Sequence, residues 1–126
     1  MKITFFLIIL FLIFIFKNLV ALDFFETDVY YIKFESSNIE KSKINEINFI
    51  KIKSLNKILK NLLLNKDYNN IRKKIDNKFV DKFILNILIN EEKIVNETYS
   101  ANIKVNFNHE LIVKYLRLNK INYVES

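Results

Sequence analysis

The sequence predicts an α+β domain, with helices packed on one face of an antiparallel sheet, behind an N-terminal export segment. Three observations carry that reading. Residues 3–16 form an apolar run between Lys2 and Lys17; residues 99–107 alternate apolar and polar without exception; and apolar residues between Ile44 and Leu63 recur at helical spacing.

In the N-terminal run, Thr4 is the only polar residue. Its length suits the apolar core of a signal peptide and falls short of the ~20 residues that span a bilayer. Cleavage is expected after Ala21, which divides the chain into a signal segment, residues 1–21, and a single small domain, residues 22–126. The alternative is an uncleaved inner-membrane anchor over residues 3–22, with Lys17 reaching toward the headgroups. A lipid-attached form is excluded, because the chain has no cysteine to carry the lipid.

The first domain element is a strand at residues 29–34, where Tyr30, Ile32 and Phe34 share a face. Ser37 and Glu40 then have capping-box spacing, so a long helix should begin there. Its apolar stripe comprises Ile44, Ile47, Ile52, Leu55, Ile58, Leu59, Leu62 and Leu63. Asn48 and Lys51 interrupt the stripe, with Asn48 expected to bond locally and Lys51 to extend its ammonium to water. Asp67 can cap a short second helix through Ile71 and Ile75, ended by Asp76-Asn77. As the chain has no glycine, Asn and Asp are expected wherever the backbone needs positive φ.

Residues 99–107 are the clearest strand, with Tyr99, Ala101, Ile103, Val105 and Phe107 on the buried side. Residues 83–89 supply an antiparallel partner, and residues 90–98 a polar connection. Asn108 should cap a last helix with Leu111, Ile112, Tyr115, Leu116 and Leu118 on its apolar face. A short strand at residues 121–124 closes the order β-α-α-β-β-α-β. That order fits a split β-α-β sandwich of ferredoxin-like kind, with a smaller β-α-α-β-β module as the nearest alternative.

Composition narrows the function. Ile (21), Asn (18) and Lys (18) dominate, against two Arg and no Gly, Pro, Trp or Cys, which is the mark of AT-rich codons. The charge of +6 becomes +4 once Lys2 and Lys17 leave with the signal. Nucleic-acid binding is not expected, since only Arg72 and Arg117 could make bidentate contacts and Lys-rich helix faces are ordinary solvated surface. An exported chain without cysteine has no disulfides, so its stability must come from its core.

No catalytic, cofactor-binding or metal-binding residue is assigned. His109 is the only histidine, and Asn108-His109-Glu110 opens a helix whose N-terminal field favours a neutral imidazole. A metal or hydrolytic centre using His109 is the alternative function. It would need further converging ligands, and the sequence offers no HExxH, serine elbow or Gly-rich phosphate loop. Glu91, Glu92 and Glu97 are expected to be solubilising loop residues, and the Asn96-Glu97-Thr98 sequon is read as chance. The phenylalanines outside the signal are expected mostly at inward positions.

From Asn90 to Tyr123 the chain shows a polar hairpin, then Tyr99-Ser100-Ala101-Asn102-Ile103-Lys104-Val105-Asn106-Phe107-Asn108, a short helix with Ile112 and Tyr115-Leu116, and Ile121-Asn122-Tyr123. With the signal, first strand and long helix, this resembles the N-terminal part of the exported bacterial family called domain of unknown function 2066 (DUF2066). The first helix lacks the Ala, Arg and Gly usual in that family. Because relatives continue beyond the final short strand, the resemblance implies that this chain is a fragment or an N-terminal module. The expected function is a non-enzymatic interaction module of the bacterial envelope, periplasmic and without cofactor. It would bind an unknown protein partner through a helix face or an exposed edge strand such as residues 99–107, and meet the membrane only through its N-terminal segment.

Overall fold

The computed structural model describes residues 2–18 and 23–124, with side chains described for residues 2–13 and 23–124. The expected cleavage position after Ala21 lies outside the described residues. The N-terminal run forms a helix, α1 (Lys2–Asn18), whose side chains through Ile13 are all exposed. Apolar residues surround it on every side, a pattern that suits a nonpolar environment better than water. Among the described residues, no helix is long and apolar enough to cross a membrane.

The domain is α+β, with a three-stranded antiparallel sheet. Its elements are β1 (Tyr30–Glu35), α2 (Ile39–Leu62), α3 (Asn65–Ile71), a 3₁₀ turn (Arg72–Lys74), α4 (Asn77–Asp81), β2 (Ile84–Val95), β3 (Thr98–Phe107) and α5 (His109–Leu118). The strand order is β1-β3-β2, with Ile103 opposite both Tyr30 and Ile89. Since β3 is antiparallel to each neighbour, β1 and β2 run parallel to one another on either side of it.

Strand β3 alternates as its sequence requires. Tyr99, Ala101, Ile103, Val105 and Phe107 are buried against the helices, while Ser100, Asn102, Lys104 and Asn106 face the open side. The helical layer contributes Ile50, Leu55, Ile58, Leu59 and Leu62 from α2, Phe79 and Val80 from α4, and Ile112 and Leu116 from α5. Phe79, Phe83 and Tyr115 meet edge to face, with ring centroids 5.2–5.6 Å apart. The hydroxyl of Thr27 donates to the Val105 carbonyl at 2.6 Å, occupying a backbone acceptor just beyond the β1–β3 ladder.

Several expected details differ. Helix α2 is capped by Asn38, whose Oδ1 accepts from the Lys41 N–H at 3.2 Å, so the Ser37–Glu40 box does not form. Ile44 precedes the buried part of the stripe and is 55% exposed. Helix α3 begins at Asn65, which leaves Asp67 inside its first turn, and Asp76 starts α4 by accepting from the Phe79 N–H at 2.8 Å. Asn108 caps α5 as expected, through Leu111 N–H at 3.2 Å, but Leu111 and Leu118 are exposed.

The expected final strand is absent: residues 121–124 are irregular, and the Val124 N–H bonds to the Leu62 carbonyl at the end of α2. Helix α5 ends in a Schellman arrangement, with Ile121 N–H to Leu116 C=O, Lys120 N–H to Arg117 C=O, and Lys120 at φ 55°. Positive φ is therefore not confined to Asn and Asp. Glu91 (53°) and Lys120 share that conformation with Asn96 (57°).

Candidate functional site

The residues singled out in the sequence do not converge. The His109 ring stacks on Phe25 with centroids 4.3 Å apart, a packing role at the first turn of α5. Among the described residues, no group of three His, Cys, Asp or Glu side chains could hold a metal ion. His109 and Glu110 line a shallow groove with Val113, Lys114, Arg117 and Leu118, and Arg117 Nε donates to the Tyr123 hydroxyl at 2.9 Å. Arg72 lies in the 3₁₀ turn, on a different element from Arg117. Lys51 does not extend into water: its ammonium donates to Asn48 Oδ1 at 3.1 Å and pairs with Asp81 at 2.5 Å, with only a tenth of the side chain exposed.

The expected loop at residues 90–98 is mostly strand. β2 continues to Val95, and a two-residue turn at Asn96-Glu97 joins it to Thr98, with positive φ at Asn96. Glu91 and Glu92 are thus strand residues at an irregularity between Asn90 and Lys93. The Glu91 carboxylate accepts from Asn102 Nδ2 at 3.0 Å. Glu92 Oε2 accepts from the Tyr99 hydroxyl at 2.5 Å and from Lys43 Nζ at 2.9 Å.

This Lys43–Glu92–Tyr99 cluster joins α2, β2 and β3, and its electrostatics follow from its contacts. Burial, then the hydrogen bond to the Glu92 carboxylate, pushes the Tyr99 phenol up to about 12. The hydrogen bonds from Tyr99 and Lys43 hold the Glu92 carboxyl below its usual range, and the bond to Glu92 holds the Lys43 ammonium above its own. Phe34 stacks on Tyr99 at 5.1 Å and seals the inner side. The phenol is thereby kept as a donor, and the cluster acts as a clamp between layers.

Residues 99–107 are not an edge strand. β3 is the central strand, paired with β2 to Phe107 and with β1 from Thr98 to Ile103, and the free edges belong to β1 and β2. Of the two, β2 is longer and more apolar. Leu85, Ile94 and Val95 are each more than half exposed, and Leu88 and Ile89 are partly so. Two register shifts, between Ile84 and Asn86 and between Asn90 and Lys93, bracket a regular ladder from Asn86 to Asn90. Alternate residues of an edge strand turn both backbone groups away from their only partner, so this segment offers a ready template for another strand.

No protein-family model, curated protein or solved structure matches the chain.

Sequence reasoning missed both the clamp and the β2 edge because the charges at residues 91–93 resemble a loop. The signal that could have found them is the Ile94-Val95 pair directly before Asn96: two β-branched residues mirrored across a two-residue turn by Thr98-Tyr99.

Proposed function

We propose that the protein is an exported, non-enzymatic interaction module of a bacterial envelope, whose domain is of the split β-α-β, ferredoxin-like kind and which binds a protein partner along a sheet edge. The observation that carries this reading is β2: twelve residues at a free edge, with no proline or glycine and with five apolar side chains turned to solvent. Main-chain pairing would supply affinity there and the alternate side chains specificity. Two parallel strands flanking an antiparallel third, joined by a helical crossover, support the fold kinship.

Helix α1 supports export, since a short segment apolar on every side suits a translocon better than a globular surface. The test is the intact mass of the protein in soluble and membrane fractions of a bacterial host. The expected product lacks residues 1–21 and lies in the soluble periplasmic fraction. A full-length product confined to the membrane would replace the periplasmic reading with an anchored one, and a full-length product in the cytoplasm would overturn export.

A further inference from the structure

The β2 edge is matched to one partner in particular. We propose that two copies of this chain pair their β2 strands antiparallel about Leu88, joining their sheets into one continuous sheet. This rests on the reading of β2 as a binding edge and names its occupant.

Three observations lead to a second copy. First, the straight part of the edge is self-complementary. Asn86–Asn90 is the longest run of β2 without register irregularity, and pairing it with itself about its midpoint places Asn86 opposite Asn90, Ile87 opposite Ile89 and Leu88 opposite Leu88. Residues directly opposite in an antiparallel pair share a face, so each match joins amide to amide or apolar to apolar. Second, the segment from Ile84 to Asn90 carries no charge, although charges are a common means of keeping edge strands apart. β1 is shorter and carries Lys33 and Glu35 on its exposed positions.

Third, the flanking charges favour a two-fold. Lys82 lies just before β2 and has no acidic partner among the described residues, its neighbour Asp81 being paired with Lys51, while at the far end Glu91 and Glu92 outnumber Lys93. Antiparallel pairing about Leu88 brings the Lys82 end of one copy to the acidic end of the other, and parallel pairing would set like charges together. A two-fold contact of this kind uses the same patch on both copies and closes on itself.

Cysteine cross-linking tests the pairing directly, since the chain has no cysteine of its own. The full-length chain carrying Leu88→Cys is expressed, and whichever fraction holds it is oxidised with copper phenanthroline. Opposed Cα atoms in either type of antiparallel pair lie ~4.5–5.5 Å apart, within the range a disulfide bridges. The expected result is a disulfide dimer of twice the chain mass. Asn86→Cys alone should stay unlinked, because two Asn86 residues would be about 13 Å apart, four residues along the strand. Co-expressing Asn86→Cys with Asn90→Cys should restore the link. Equal linking of Leu88→Cys and Asn86→Cys would mark non-specific association and overturn the pairing. A Leu88→Cys adduct to a protein of different mass would overturn the second copy as occupant but sustain the edge as a binding site. Leu88→Cys linked to nothing would overturn the self-pairing.

Discussion

Strands β2 and β3 form one hairpin and pair residue against residue, and β2 is the richer in Ile, Leu and Val, yet β3 is the better buried. β3 is buried at every second position, whereas no residue of β2 is fully buried. The cause is position. β3 has a strand on each side and the helices over one face, while β2 lies at the rim of the sheet and its two irregularities interrupt the facing of its side chains. What a β-former contributes thus depends on its neighbours more than on its own propensity.

The largest expected effect separates two isoleucines that face each other across the ladder. Ile103 on β3 is fully buried, and its partner Ile89 on β2 is 37% exposed. Ile103→Ala should lower unfolding stability by ~3 kcal/mol, because it removes buried methyl groups and leaves a cavity. Ile89→Ala should cost about 1 kcal/mol or less, since its site is already wet. Denaturant titration of both variants measures this, and equal losses would show that β2 is as well covered as β3.

The clamp is the point at which the two strands depend on each other, and Tyr99→Phe should cost about 1–2 kcal/mol at neutral pH by removing its hydroxyl donor. The pH dependence follows from the raised phenol. Tyr99 titrates near 12 in the folded protein against 10.0 for the free side chain. Its contribution is therefore fully present below about pH 10 and is lost as pH rises from 10 to 12, where the unfolded chain releases the proton first. Stability of the parent should fall more steeply than that of Tyr99→Phe over that window. Parallel curves would mean that Tyr99 is not the group that titrates. At the acid end the sign reverses. Glu92 is held low, so its contribution is present above its unfolded pKa and is lost as pH falls through the folded one.

Legibility followed the same division. β3, its hairpin partner, the Asn108 cap and the buried half of the α2 stripe were readable because each repeats one local rule over several residues. Strand order was not, since alternation shows that one face is buried but not how many edges are paired. That is why residues 99–107 read as an edge and proved central. The choice of Asn38 over Ser37 as cap was also hidden, as adjacent residues of equal capping strength differ only in backbone geometry. The clamp was illegible for a further reason: Lys43, Glu92 and Tyr99 are brought together only by the pairing of β2 with β3 and the packing of α2 across them.

The smallest effect probes how β2 acquires its shape. Glu91 has φ 53°, within the irregularity that ends the straight ladder, and a side chain with a Cβ is strained there. A chain without glycine has no unstrained residue for that position, so Glu91 carries a cost that Asn96, in the same conformation, carries less severely. Glu91→Gly relieves the strain but frees the unfolded chain and removes the exposed bond to Asn102. The net expectation is a gain of about 0.5 kcal/mol in unfolding stability, the strain relief exceeding the loss of one surface hydrogen bond. A loss of stability would show that the Glu91–Asn102 bond, and not the bend itself, holds the irregularity in place, and the straight edge beyond it would then depend on that single contact.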